Sequence, residues 1–315
     1  MVTIKRIEIE DFLGQGNLVW NLDPEVNILG GKNGSGKSTI LKVCHYFLTN
    51  ISYNLNFEKY SKIEAQFAKL FKSFSIVFNN DWVAKCSWCK ATRTDISPER
   101  KEICYKSFVF DKNGNKIDNK ELYSQLKVFL INSFEQHLSK ASIYDQQPKS
   151  SPLDDPTMLD LMIKDQIDQR NSKFSQAMEG FIDAPDGDEQ QRTNYVQNYK
   201  KIYESLSHFL TGYDEPFKSS FEFVRNGQKF GYEHLSMGEK QILLLLLMVS
   251  NTDQQPCIFL MDEPDLSMHI DWKEILVKEL HSLNPNMQII LTTHAPSVIT
   301  GWHDRVQEVS QLIKN

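Results

Sequence analysis

The chain has 315 residues, of which 40% are hydrophobic and 24% charged, enough to bury one large α/β core together with an inserted subdomain. A formal net charge of −6 and a pI near 5.8 exclude broad, purely electrostatic adhesion to nucleic acid, while a local basic patch stays compatible with them. The opening MVTIKRIEIEDF has no export-type apolar stretch, the longest apolar run (Ile242 to Val249) is far below the ~18 residues of a membrane span, and 5 cysteines without even spacing suit a reduced compartment, so a cytoplasmic protein with no membrane segment is expected.

In chain order, the N-terminal residues alternate charged and apolar side chains up to Phe12, and Glu25 to Leu29 reads as a short buried strand. GKNGSGKS follows at Gly31 to Ser38, and Ser38 to Thr49 reads as a helix. Strand, GxxxxGK[ST] and helix together predict a phosphate-binding P-loop. Gly31, Gly34 and Gly36 let the backbone bend so that N–H groups from Asn33 through Gly36 point at phosphate oxygens, with Ser35 and Thr39 completing the cradle and the helix N-terminus adding its dipole. Lys37 is placed to neutralise the β- and γ-phosphates, and the Ser38 hydroxyl is the expected magnesium ligand.

Beyond the P-loop, Phe57 to Leu70 reads as helical, and FSIVFNNDWVAKCSWCK and EICYKSFVF read as aromatic-rich strands with a turn at Asn79-Asn80-Asp81. DKNGNK predicts a hairpin turn at Asn113-Gly114. The Cys86 and Cys89 pair, with Cys104 beyond it, lacks the second ligand pair that a structural zinc site wants. A helix from about Asn119 to Leu138 is expected to lead into SIYDQQP at Ser142 to Pro148. Two further helices, about Thr157 to Phe181 and Gln190 to Leu210, flank the acidic turn DAPDGDE and lack the sustained heptads of a long coiled coil.

The last hairpin, FEFVRNGQKFGYEHL, turns at Asn226-Gly227 and feeds LSMGEKQ at Leu235 to Gln241, followed by a wholly apolar helix. Cys257 to Met261 is a continuous apolar run ending in Asp262-Glu263, the pattern of a strand buried on both faces that delivers carboxylates to its C-terminal edge. Adjacent acids suit two roles: Asp262 holding Mg²⁺ through the second shell, and Glu263 polarising the attacking water as general base. A further strand, Met287 to Thr292, ends at His294.

LSMGEKQ resembles the signature motif of ABC-type ATPases, and QIILTTHAPSVI resembles the switch-histidine strand of that superfamily. The resemblance implies that Ser236 and Gly238 bind the γ-phosphate of an ATP held by the opposite protomer, with Glu239 beside them among the nucleotide contacts and Gln241 completing the motif, and that His294 contacts the γ-phosphate. It also implies a glutamine loop, for which Gln146 and Gln147 are equally good candidates as ligands of Mg²⁺ or the water. A transporter ATPase commonly has an Asp where DEPDLSMHIDW has His269; with the similar opening IKRIEIEDFLGQGNLVWNLDPEVNILGGKNGSGKS, this favours the soluble branch of RecF, SMC, overcoming-lysogenisation-defect and AAA-labelled defence ATPases. The resemblance covers roughly residues 1–50 and 215–303.

The expected fold is therefore α/β: an ABC-type P-loop ATPase head formed by 1–50 and 213–315, with an inserted β-rich, then helical, lid subdomain over 51–212. The expected function is ATP hydrolysis by a head-to-tail homodimer closed around two ATP and Mg²⁺. Such a pair would drive or gate a separate effector, a nuclease or toxin subunit, in DNA repair or antiviral defence, with DNA as a possible ligand. The alternatives are the ATP-binding subunit of a membrane transporter and an ATP-gated scaffold with negligible turnover.

Overall fold

The computed structural model describes residues 2–50, 69–90, 103–131, 157–183, 189–214 and 221–314. β1 (Ile4–Glu10), β2 (Asn17–Asn21) and β3 (Val26–Gly30) lead to α1 (Lys37–Asn50). β4 (Ser73–Phe78), β5 (Val83–Lys90), β6 (Ile103–Phe110) and β7 (Lys116–Ile117) lead to α2 (Asn119–Gln125) and β8 (Val128–Ile131). After α3 (Met158–Asp183) and α4 (Glu189–Phe209) come β9 (Phe223–Arg225), β10 (Gln228–Phe230), α5 (Met237–Ser250), β11 (Cys257–Asp262), α6 (Ile270–Leu283), β12 (Met287–Thr292), β13 (Val306–Glu308) and β14 (Ile313–Lys314).

Two sheets organise these elements. A parallel sheet runs β13-β3-β12-β11-β8, and an antiparallel one runs β14-β2-β1-β4-β5-β6-β7. Every residue of β11 and β12 is buried, as expected of parallel strands covered on both faces. Alternate side chains of those strands divide between two cores. Cys257, Phe259, Met261, Ile289 and Leu291 pack with the leucines of α5, while Ile258, Leu260 and Ile290 pack with α1 and the inner face of the antiparallel sheet. α1 is thus held between the two sheets, and α5, with Ile242 to Leu247 fully buried, is enclosed on all sides.

One glutamine ties the sheets together. Gln288 on β12 is fully buried; its Oε1 accepts from the Ile4 backbone N–H at 2.8 Å, and its Nε2 donates to the carbonyls of Ile4 at 2.7 Å and Asp23 at 2.8 Å. A buried amide is tolerated there because its donors and acceptor are used.

α3 and α4 form the expected helical hairpin, joined by the Phe174–Tyr199 contact (centroids 4.3 Å apart) and by Arg170, which lies 3.9 Å over the Tyr199 ring and donates to the Tyr199 carbonyl. α3 is fastened along α5 by a buried Asp160–Lys240 ion pair at 2.6 Å near its start and by Asn251 donating to the Gln166 carbonyl at 2.8 Å further on. The turns expected at Asn79-Asn80-Asp81, Asn113-Gly114 and Asn226-Gly227 connect β4 to β5, β6 to β7 and β9 to β10. At the last of these, both central residues have positive φ (51° and 72°), the conformation a two-residue hairpin loop demands.

One expectation is corrected. The helix expected from about Asn119 to Leu138 ends at Gln125, because Val128-Phe129-Leu130-Ile131 pairs in parallel with β11. A four-residue apolar run fits either state by periodicity, and the available sheet edge decides it. Between the expected boundaries at 51 and 212, β4 pairs with β1 and β8 joins the central parallel sheet, so these strands share the two sheets with the flanking segments.

Cys86 is buried in β5, and that burial pushes its thiol up to about 12. Among the described residues no helix is long and apolar enough to cross a membrane.

Candidate functional site

Strand register builds the site. β3, β12 and β11 are parallel neighbours, and their pairing aligns Leu29 with Thr292 and Thr292 with Asp262 at one sheet edge. The P-loop, the acidic pair and the switch segment therefore all emerge at the C-terminal ends of adjacent strands, where open α/β sheets bind ligands.

In the P-loop, Gly31, Gly34 and Gly36 have φ of 135°, 77° and 95°. Gly36 is fixed by space as well as by angle, since a Cβ there would lie 2.5 Å from the Phe12 ring. The aromatic after the first strand thus braces the loop from beneath. The Lys37 side chain is buried, and its Nζ donates to the carbonyls of Gly31 at 2.9 Å and Lys32 at 3.2 Å. Burial holds its pKa below the ordinary lysine value, opposed by the carboxylates of Glu263 and Asp262.

Asp262, 2% exposed, accepts two hydrogen bonds on Oδ1, from Ser38 Oγ and Thr292 Oγ1, each at 2.8 Å. Glu263 leaves the strand in the left-handed region, φ 50°, where its backbone N–H donates to the Thr292 carbonyl and hydroxyl, both at 3.1 Å. Such a conformation costs a non-glycine residue about 1–3 kcal/mol and persists where surrounding contacts enforce it. Its consequence is a carboxylate in the cleft, with Oε1 3.3 Å from His294 Nε2.

The cleft has a volume of about 690 Å³. One wall is Asn33, Gly34, Gly36, Lys37, Ser38 and Thr39; Glu263 and His294 face it, and Leu13 closes an end. The residues fit Mg-nucleotide. Ser35 Oγ is a buried hydroxyl with no hydrogen-bond partner among the described residues, in a loop otherwise presenting donors. Ser38 and Asp262 supply two hard oxygens in contact. Among the described residues no cluster of three or more His, Cys, Asp and Glu that could hold a metal ion is present.

The structure gathers the P-loop residues, Asp262, Glu263 and His294, but not the signature residues, which do not line this cleft. Ser236 is the N-cap of α5; its Oγ accepts from the Glu239 N–H at 3.4 Å while Glu239 Oε2 accepts from the Ser236 N–H at 2.7 Å, a capping box. Glu239 Oε1 accepts from the Tyr213 hydroxyl at 2.8 Å. The carboxylate expected among the nucleotide contacts is thus engaged within its own chain. Gly238 is buried, and a Cβ on it would lie 2.7 Å from the Ser267 carbonyl. Gln146 and Gln147 lie outside the described residues; β8 ends fifteen residues before the first of them.

Thr292, Thr293, Asp265 and Lys273 escaped the sequence reading. Thr293 Oγ1 donates to Asp265 Oδ1 at 2.9 Å, and Lys273 Nζ donates to Asp265 Oδ2 at 3.2 Å. The available signals were two threonines directly before His294 and a second acid two positions after Glu263.

A family model described as the RecF/RecN/SMC N-terminal domain matches residues 3–313. The chain belongs to this family. Its fold is the α/β ABC-type ATPase head, a P-loop NTPase architecture. This RecF/RecN/SMC head is similar to an SMC head bound to the C-terminal winged-helix domain of ScpA (TM-score 0.53, 16% identity, 94% of this chain and 91% of that one). It is also similar to the SMC head domain from Thermotoga maritima (TM-score 0.50, 14% identity, 94% and 90%). Among curated proteins it is 23% identical to the Retron Vc95 probable ATPase of Vibrio cholerae serotype O1 biovar El Tor, over 95% of this chain and 71% of the relative. It is 22% identical to the Retron Ec83 probable ATPase of Escherichia coli, over 93% and 68%.

Proposed function

We propose that this RecF/RecN/SMC head binds and hydrolyses ATP as a head-to-tail pair and gates a separate effector subunit in antiviral defence. The observation that carries the reading is the Glu263–His294 contact at 3.3 Å facing Lys37 and Ser38 across one cleft, while Ser236 and Gly238 stand outside it. One chain thus presents a P-loop half-site and a signature half-site that do not meet, which a second copy would complete.

In the closed pair, Lys37 and the loop N–H groups neutralise the phosphates, and the partner's helix N-terminus adds donors at the γ-phosphate. Ser38 and Asp262 would hold magnesium, which would supply neutralisation of phosphate charge when bound. Glu263 takes the proton of the attacking water, and His294 orients that carboxylate and contacts the transferred group. Hydrolysis reopens the pair, so nucleotide state becomes conformational state. The defence role and the effector rest on the retron relatives, at low identity, and on the motif resemblance. DNA repair is the second setting, supported by family membership.

Glu263→Gln tests the assignment. It should bind ATP as the wild type does, accumulate as a dimer in ATP and Mg²⁺, and lose about 10²- to 10⁴-fold in turnover. A Glu263→Gln protein that hydrolyses ATP at the wild-type rate would remove Glu263 from the role of base. A wild-type protein that completes one turnover and no more would make the chain an ATP-gated scaffold.

A further inference from the structure

His294 is poorly fixed by its own contacts: its side chain is 40% exposed, and its polar contact in the cleft is with Glu263. Its backbone neighbours are held firmly. Thr293 is 2% exposed; its Oγ1 donates to Asp265 and accepts from the Ala295 N–H at 2.9 Å. One hydroxyl therefore pins the residues on both sides of the histidine to a single carboxylate. Asp265 is 4% exposed, and Lys273 on α6 neutralises its other oxygen at 3.2 Å. That makes Asp265 a fixed anchor in place of a mobile surface acid.

The anchor is also connected to the signature helix. Asp265 belongs to the loop between β11 and α6, where the Met268 N–H donates to the Asp265 carbonyl at 3.2 Å and Ser267 has φ 66°. The Ser267 carbonyl occupies the space a side chain at Gly238 would need. The loop thus touches the switch segment on one side and the start of α5 on the other.

We infer that Asp265, through Thr293, is a positioning residue for His294, and that this hydrogen bond ties the histidine's place in the cleft to the loop packed against signature Gly238. The inference rests on the catalytic reading above. The hydroxyl acts by setting where the His294 ring stands relative to Glu263 and the reacting phosphate. A small misplacement of such a group can cost about 100-fold in rate without touching the nucleotide.

The test is steady-state ATP hydrolysis and nucleotide binding by Thr293→Val, Thr293→Ser and Asp265→Asn, with Thr293→Val repeated in a His294→Ala background. Thr293→Val keeps the shape and removes the hydroxyl; it should lower kcat about 10- to 100-fold and leave KM and the ATP Kd within about twofold. Thr293→Ser should restore kcat. In the His294→Ala background Thr293→Val should have no further effect, because the group it positions is gone. Equal losses in the two backgrounds would overturn the inference, as would a Thr293→Val protein whose loss lies in KM and which serine does not rescue. Glu263→Gln runs in parallel: if it alone loses turnover, the catalytic reading stands and the positioning role falls, whereas if it retains turnover both fall.

Discussion

At the P-loop end of the molecule, polar groups from different segments meet around one cleft. Lys37 is turned back on the carbonyls of its own loop, Ser38 touches Asp262, and Glu263 meets His294. At the signature end the polar groups face inward: Ser236 and Glu239 cap each other and Tyr213 takes the remaining carboxylate oxygen. The first end is a set of donors and acceptors converging on one cleft; the second is a finished helix N-terminus whose outward offering is its N–H groups and dipole. Both ends are carried by buried elements of the same body, and the contrast supports the proposed reading of two half-sites that serve different nucleotides.

The largest effect that could break this comparison comes from mixing variants. Lys37→Ala should lose ATP binding and Ser236→Arg should bind ATP yet fail to hydrolyse it. Random pairing of equal amounts makes about half the dimers mixed, each with one intact composite site of two, so roughly a quarter of the wild-type rate should return. The assay is ATP hydrolysis against mixing ratio. If the mixture is as inactive as its components, both halves serve the same nucleotide within one chain.

A smaller effect sharpens the signature side. Gly238→Ala places a methyl where the Ser267 carbonyl lies 2.7 Å away, and that carbonyl belongs to a loop held by Asp265. Overpacking of this kind costs about 1–3 kcal/mol, so thermal unfolding should move down by several degrees with ATP binding by the P-loop preserved. An unchanged melting temperature would show that the loop gives way freely, and the contact would then transmit nothing.

Much of this was legible in the residues. The P-loop, the acid-bearing strand and the signature helix declare themselves by local pattern, because each combines a buried apolar run with chemistry at its end. The helical hairpin could be read to within a few residues, since α3 and α4 have amphipathic periods of their own. β8 could not, because Val128 to Ile131 becomes a strand only through β11. The Thr293–Asp265 bond was hidden for the same reason: 28 positions separate its ends, and parallel strands bring them together. Glu239 was assigned to the nucleotide by analogy, whereas its capping box is visible in the spacing Ser236 to Glu239, three residues apart before an apolar run.

That capping box carries the smallest prediction. Burial alone would raise the Glu239 pKa, but the hydrogen bonds from Ser236 and Tyr213 outweigh it and hold the carboxyl below its ordinary value of 4.5. A carboxyl whose folded-state pKa is depressed stabilises the fold fully above the unfolded-state pKa and loses that contribution as pH falls through the folded-state value. Wild type and Glu239→Gln should therefore differ most in melting temperature at neutral pH, and the gap should close as pH drops below 4.5. Glutamine has one acceptor oxygen: with it on the Ser236 N–H, the side-chain NH2 meets the Tyr213 hydroxyl and donates to it, so the substitution removes the charge and reverses the Tyr213 bond. Melts between neutral and acid pH measure it. A gap that stays constant would assign the cap's contribution to geometry alone; one that closes would show that the Glu239 charge at the N-terminus of the signature helix carries part of it.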